Sequence, residues 1–445
     1  MPGGTSTVDS VVVLLSESAS LTARETLTVL GMRGVRVDVL AAGGLSIGRF
    51  SCWRRRSIPV PLPSLDPLGY LAVVRTLIAS GDYEAVLATH EQAWLFAAGR
   101  LLLPQDAPIV VASIEAFDRV AGKVDFATLL DELRVPQPKW WPTGDRPSTV
   151  PYPHWVKASH GTAGRCVRRV ANAGQEREAI RELSWPNDAV MGQVPAPGQY
   201  GQVRALFDHG RLIAVHTSVQ VGCGAGGSAA ARLNVDHPEA REHVARIGEH
   251  LAWRGGLTID YLHVDGQPQF IECNPRTVEP GNAAHAGVDF PPLTIALSTG
   301  APVPDKPIVG RAGVRTHSAM ALALGAAERH NSRAAVLTSH PGARLRNRSK
   351  THEHISTIRR QHRTPHLVLI SKPTGRRGSV TLCTGRVTGP QGWSTNIDGL
   401  FVPNLPQRQP YWWLSTEGRQ PTWPEGGSRC WCCGTSLRYR CCAGG

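Results

Sequence analysis

The sequence predicts an α/β protein: a helix-covered parallel sheet, then a unit richer in strand pairs, then a basic tail of different composition. Three observations carry that expectation. Continuous apolar runs alternate with helically spaced segments through residue 112, the texture changes near residue 113, and residue usage changes again after residue 345. The 445 residues suffice for two to four packed units at about 100–200 residues each.

Val11–Leu15 is an unbroken apolar run, as expected of a strand covered on both faces. Leu21–Met32 has helical spacing, with Thr22 as a cap and Gly34 beyond its end. Val35–Leu40 reads as a second strand, Leu68–Ala79 as a helix, Ala85–Ala88 as a strand, Gln92–Leu103 as a helix and Ile109–Val111 as a strand. Such alternation implies parallel strands with helices on their faces. The segment Gly43–Gly48 follows the second strand and opens no clear helix, so it reads as a glycine turn rather than a dinucleotide fingerprint. Arg54-Arg55-Arg56 reads as a solvated loop, with anionic-substrate binding as the rival account.

Beyond residue 113 a helix is expected over Glu115–Leu133, ending at Val135-Pro136-Gln137-Pro138. A strand pair across 154–170 is interrupted by the small-residue loop Ser159–Arg165. A helix at Gln175–Leu183, a strand at Ala189–Gln193, a hairpin over 201–221 turning at Asp208-His209-Gly210, and a helix at Pro238–Arg254 follow.

The densest polar cluster comes next: Leu257-Thr258-Ile259-Asp260-Tyr261, the turn signal Asp265-Gly266, then Glu272-Cys273-Asn274-Pro275-Arg276. Strand alternation puts Glu272, Asn274 and Arg276 on one face. A two-residue loop would pair Asp260 with Ile271. A three-residue loop, Asp265-Gly266-Gln267, would pair it with Glu272, and this is the expected register because it converges two carboxylates and an amide oxygen. Such a set suits Mg²⁺, a hard cation that takes a few carboxylates with phosphate oxygens and water. The rival account is an exposed acidic hairpin. Arg276 beside the cluster favours an anionic ligand.

Lysine is scarce: six residues against 42 arginines. Lys123 and Lys157 fall in candidate ligand-facing segments, the latter just before Gly161-Thr162-Ala163-Gly164. Small residues let a backbone approach phosphate closely, and an ammonium supplies a compact charge. The alternative is two solvated side chains. Thr89-His90-Glu91 sits at the carboxyl end of an expected parallel strand, where ligands of open α/β sheets gather. His90 and Glu91 are therefore candidate substrate contacts, with helix capping by Thr89 as the rival.

In this order, Lys123, Lys157 with its loop, the strand ending at Gln193, Asp260 and Glu272-x-Asn274-Pro275-Arg276 resemble the ATP-grasp superfamily. The resemblance is to its carboxylate–amine ligase branch, which includes biotin carboxylase and the carbamoyl-phosphate synthase large chain, and covers about residues 8–305. It implies a Rossmann-like domain over 1–112, an ATP-grasp domain over 113–305 with a mobile lid at about 150–190, and an extension of the core over 306–345. ATP would contact Lys123, Lys157, Gly161, Thr162, Gly164, Gln193, Val194 and Gln199, with the Val190–Val194 segment lining the adenine through its backbone. Asp260, Glu272 and Asn274 would hold Mg²⁺ or Mn²⁺, and Arg276 would stabilise the acyl-phosphate transition state. The implied substrates are a small carboxylate and an amine, and a homodimer is compatible. Gln193 and Gln199 stand where the family usually carries Glu, which removes a charge-assisted hydrogen bond and motivates a rival reading: an ATP-binding protein with lost or weak turnover.

Net charge is +13, yet residues 1–345 carry 33 basic and 31 acidic side chains, while 346–445 carry 15 and 4. Nucleic-acid contact is therefore expected only through the tail, if at all. That tail has six of ten Cys, five of twelve Trp and one Ala. Its composition points to a largely disordered segment, translated out of the ancestral reading frame of a GC-rich gene. Zinc at Cys430 and Cys433 is the competing account, weakened by the adjacent pair Cys441-Cys442. No stretch approaches the ~20 apolar residues of a transmembrane helix. Val11–Leu15 is too short for a signal-peptide core of roughly 7–15 residues. Sparse cysteines in the body complete the expectation of a cytoplasmic protein.

Overall fold

The computed structural model describes residues 11–329 except 44–45, 162–163 and 185–187, and beyond them 351–353, 393–395 and 401–403. The first sheet is fully parallel, in the order β3-β2-β1-β4, from β1 (Val12–Leu15), β2 (Arg36–Ala41), β3 (Arg54–Pro59) and β4 (Ala85–Leu87). Its crossovers include α1 (Leu21–Gly31) and α2 (Pro67–Ala79), and α3 (Gln92–Ala98) follows β4. All four β1 side chains are buried, as the continuous apolar run requires.

Four expectations change here. The cap of α1 is Ser20, whose hydroxyl accepts the Ala23 amide, and not Thr22. Ile109–Val111 contributes a single bridge to Val86 rather than a strand. The expected helix over Glu115–Leu133 is two helices, α4 (Ile114–Asp118) and α5 (Lys123–Glu132), separated by Gly122 in extended conformation. Arg54–Arg56 is not a solvated loop but the start of β3. Asp38 on the neighbouring strand is fully buried, and Arg55 and Arg56 reach it at 2.6–2.9 Å, with the Tyr83 hydroxyl at 2.7 Å. A buried carboxylate needs such partners, and they bind this arginine run into the fold.

The second sheet is antiparallel, ordered β5-β8-β6-β7, from β5 (Trp140–Pro142), β6 (His154–Ala158), β7 (Val167–Val170) and β8 (Val190–Gln193). Helix α6 (Ala173–Leu183), capped by Asn172, covers it.

The third sheet carries the hairpins β9 (Gln199–Asp208) with β10 (Arg211–Cys223) and β12 (Gly255–Val264) with β13 (Gln267–Asn274). Between the hairpins lie β11 (Ala229–Asn234) and α7 (Pro238–His250). Later come α8 (Gly281–His285), α9 (Phe290–Thr299), β14 (Ile308–Val309), β15 (Arg315–His317) and α10 (Ala319–Arg329). The order is β13-β12-β9-β10-β11-β15-β16, with β14 beside β10 and β16 at Thr351–Glu353. One face is apolar: Val203, Ala205, Ile259, Tyr261 and Phe270 pack on Phe126 and Leu129 of α5 and Val244 and Ile247 of α7. Each fully buried aliphatic or Phe side chain there contributes about 1.5–3 kcal/mol. Gly201 lies opposite Tyr261, where an added Cβ would fall 2.5 Å from the phenol ring. The other face carries Gln202, Arg204 and Asp260 beside an apolar patch in which Leu206 and Ala214 cluster with Ala283 and Phe290.

Strands β17 (Trp393–Thr395) and β18 (Phe401–Pro403) form an antiparallel pair. With β16, they place three short strands in a tail whose sequence suggested little structure. The expectations for Leu367–Ile370 and for Cys430, Cys433, Cys441 and Cys442 lie outside the described residues. Among the described residues, no helix is long and apolar enough to cross a membrane.

Candidate functional site

The β12–β13 turn is two residues long, Asp265 at φ 50° and Gly266 at φ 79°, not the expected three. The expected pairing of Asp260 with Glu272 forms nonetheless. Tyr261 pairs with Phe270 and Asp260 with Glu272, so Ile271 is an extra residue and the strand bulges there. The cause is the core. Phe270 and Cys273 are both buried in it but are three apart, and only one extra residue returns both to the same face.

The bulge leaves Asp260 and Glu272 face to face. Burial, then repulsion from Glu272, raises the Asp260 carboxyl to about 6, against a 2.8 Å hydrogen bond donated by Gln202. Two facing carboxylates, with Asn274 two residues further along the same strand face, form a hard-oxygen set that a divalent cation would neutralise. Among the described residues, no group of three His, Cys, Asp or Glu side chains converges. The protein therefore offers two carboxylates and an amide, and the remaining ligands must come from substrate and water.

Two lysines approach from other elements. Gly122 is the extended N-cap of α5, so Lys123 opens that helix, where its amide donates to Ser159 O at 2.8 Å. Its Nζ donates to Gly161 O at 3.0 Å and lies 3.4 Å from Glu272 Oε1. Lys157, buried on β6, donates to Gln193 Oε1 at 2.6 Å. Burial pulls its ammonium down to about 8; Glu272 opposes that shift and Lys123 adds to it. Gly161 (φ 132°) and Gly164 (φ 68°) both take left-handed backbone. Thr162 lies outside the described residues.

Other expected contacts are positioned differently. The Val194 amide already donates to Lys139 O at 2.9 Å, so it is engaged within the protein. Gln199 donates to Gln220 O at 3.0 Å and has the opposite strand parity from Gln202, which faces Asp260. Arg276 lies just past β13, its guanidinium 3.2 Å from Glu91 Oε1. His90 Nδ1 is 3.8 Å from the same oxygen, and burial followed by Arg276 lowers the imidazole's basicity. Thr89 does not cap α3; its hydroxyl donates to Glu17 at 3.1 Å.

Sequence reading missed the polar row beside the carboxylates. Arg204 is fully buried and donates to Val278 O (2.7 Å), Ser218 (3.2 Å) and Gln202 Oε1 (2.5 Å). Burial, then Arg232, lowers its guanidinium to about 10. Arg232 also donates to Gln202 and pairs with Glu279, which sits at φ 44°. A signal was present: Gln202 and Arg204 alternate with Val203 and Ala205 in an otherwise apolar strand, so that strand has one polar face.

No protein-family model matches the chain, and no curated protein does. Solved structures do resemble it. The L-amino acid ligase of Bacillus licheniformis is 17% identical, with 65% of this chain and 74% of that one covered at a TM-score of 0.50. The Campylobacter jejuni biotin carboxylase–β,γ-ATP complex is 16% identical, covering 66% and 72% at 0.53. The N5-carboxyaminoimidazole ribonucleotide synthetase of Thermus thermophilus is 15% identical, covering 68% and 81% at 0.50.

Proposed function

We propose that this chain, which has the ATP-grasp fold, is an ATP- and Mg²⁺-dependent ligase that activates a carboxylate as an acyl phosphate and joins it to an amine. The observation that carries the reading is the convergence of Lys123, Asp260 and Glu272 from three elements, held by the Ile271 bulge. In the same reading, residues 1–112 are the Rossmann-like domain, 113–305 the ATP-grasp domain and about 150–190 its lid.

Asp260, Glu272 and Asn274 would hold Mg²⁺, which when bound neutralises phosphate charge. Lys123 and Lys157 bind phosphate oxygens. The carboxylate oxygen attacks the γ-phosphorus, the bond to the ADP oxygen breaks, and Arg276 stabilises the developing charge. The amine, as its free base, then forms the C–N bond as the C–O bond to phosphate breaks, and its proton passes to the departing phosphate. Gly161 and Gly164 let the loop close over the phosphates and exclude water from the acyl phosphate.

A second reading, nucleotide binding with weak turnover, is favoured by one feature: Lys157 meets the neutral amide of Gln193 and no carboxylate there. Calorimetric titration with ATP and Mg²⁺, followed by ADP release against a panel of carboxylates and amines, separates the two. Binding with substrate-stimulated ADP release is expected. Binding without stimulation selects the second reading, and absence of ATP binding overturns both.

A further inference from the structure

A cavity of about 300 Å³ opens between α1, the segment 279–285, β11 and α10. That is the low end of the ~300–1,000 Å³ typical of small-ligand sites. None of the residues expected to touch nucleotide or metal lines it. Its charges are unevenly committed. Arg232 and Glu279 neutralise one another at its wall. Arg24, which also lines it, has no hydrogen-bond or ion-pair partner for its side chain among the described residues. Its neighbour Glu25 accepts one hydrogen bond, from the Gly281 amide at 2.9 Å. Burial, then repulsion from Glu279, raises the Glu25 carboxyl to about 7, against the pull of the Gly281 amide, Arg232 and Arg204. Val29, Met32 and Leu324 supply apolar wall.

One cation without a protein partner and one carboxylate held by a single amide, on consecutive residues beside apolar side chains, match a small zwitterion. We propose that this cavity binds the amine substrate and that the substrate is an α-amino acid with a small apolar side chain. Glu25 takes its ammonium, Arg24 its carboxylate, and Val29, Met32 and Leu324 its side chain. The word substrate rests on the ligase reading; the binding site does not. Arg232 links the cavity to the carboxylate pair, since it donates to Gln202, which donates to Asp260. A ligand lacking either charge leaves Arg24 or Glu25 desolvated without a partner, so both charges are required.

The test is calorimetric titration of the full chain with L-alanine, L-valine and L-leucine, each beside its analogue lacking the carboxylate and its analogue lacking the amine. At least one amino acid should bind at least about tenfold more tightly than both analogues. Arg24→Gln should erase the preference over the amine, Glu25→Gln the preference over the acid, and Ala321→Trp, which fills the cavity, should abolish binding. Melting temperatures verify that each variant is folded. No amino-acid binding up to about 10 mM, or parental preferences in both charge variants, overturns the proposal. A parallel ATP–Mg²⁺ titration separates the two claims. ATP binding without amino-acid binding sinks this inference alone, and the reverse sinks the ligase reading while the cavity assignment stands.

Discussion

Glu91 Oε1 lies 3.2 Å from the guanidinium of Arg276, so the carboxyl edge of the parallel sheet and the end of the carboxylate hairpin meet in one ion pair. Glu91 is half-exposed and Arg276 nearly buried, so the pair orients the arginine rather than stabilising the fold. Arg276→Lys removes the planar fork and should lower kcat by about 10²–10³. Glu91→Gln keeps the shape and should cost about tenfold. Steady-state ADP release measures both, and equal losses would contradict the assigned roles.

The Asp260–Glu272 pair sets function against stability. Asp260 titrates at about 6, above its unfolded range, so its cost to the fold is full above about 6 and vanishes as pH falls toward the unfolded value near 4. Asp260→Asn should therefore stabilise the ligand-free chain at neutral pH by about 1–3 kcal/mol. The same variant, like Glu272→Gln, should lose Mg²⁺-dependent turnover by at least about 10². Thermal melts and ADP release together decide it; retained turnover in Glu272→Gln would refute its metal role.

The Lys157–Gln193 hydrogen bond predicts an alkaline limb. In the proposed ligase phosphate binds the protonated Lys157, so ATP affinity should be full below about pH 8. Above it, affinity should fall by about tenfold per unit as the ammonium deprotonates. Gln193→Glu adds a charge partner and should move that limb upward; Lys157→Arg should remove it. Titrations of the three proteins at several pH values check this, and coincident limbs would exclude Lys157 as the titrating group.

Asp38 makes a separate prediction about acid stability. Burial works against its charge, but hydrogen bonds from Arg55, Arg56 and Tyr83 win and hold the carboxyl down at about 2. Its contribution is present above the unfolded value near 4 and is lost as pH falls through about 2. Asp38→Asn should cost about 2 kcal/mol at neutral pH and flatten the stability curve between those values. Denaturant melts across that window measure it, and a parental acid curve would refute the assignment.

Much of the fold was legible in sequence, because period-two and helical apolar patterns report burial directly. Val12–Leu15, α2 and the turn at His209-Gly210, with φ 48° and 86°, lie where local chemistry puts them. Strand β3 was hidden because its arginines look solvated until a buried Asp38 on another strand gives them a reason to order. The carboxylate pair was legible, but its route was not. The Asp-Gly pair makes the two-residue turn it favours and not the three-residue loop expected, and the odd spacing of Phe270 and Cys273 gives away the bulge only when both are known to be core. Gln202, Arg204 and Arg232 were missed because polar side chains inside apolar strands have meaning only once the sheet gives those strands a shared face.

Lys123 is tied to the glycine loop at both ends, its amide on Ser159 O and its ammonium on Gly161 O. The loop therefore cannot open without disturbing the lysine. The ammonium is held by the Gly161 carbonyl beside Glu272, so under the proposed function a phosphate would compete with Gly161 for it. In the ligase proposed above, capture of a phosphate by Lys123 and a shift of Gly161 would then be one event.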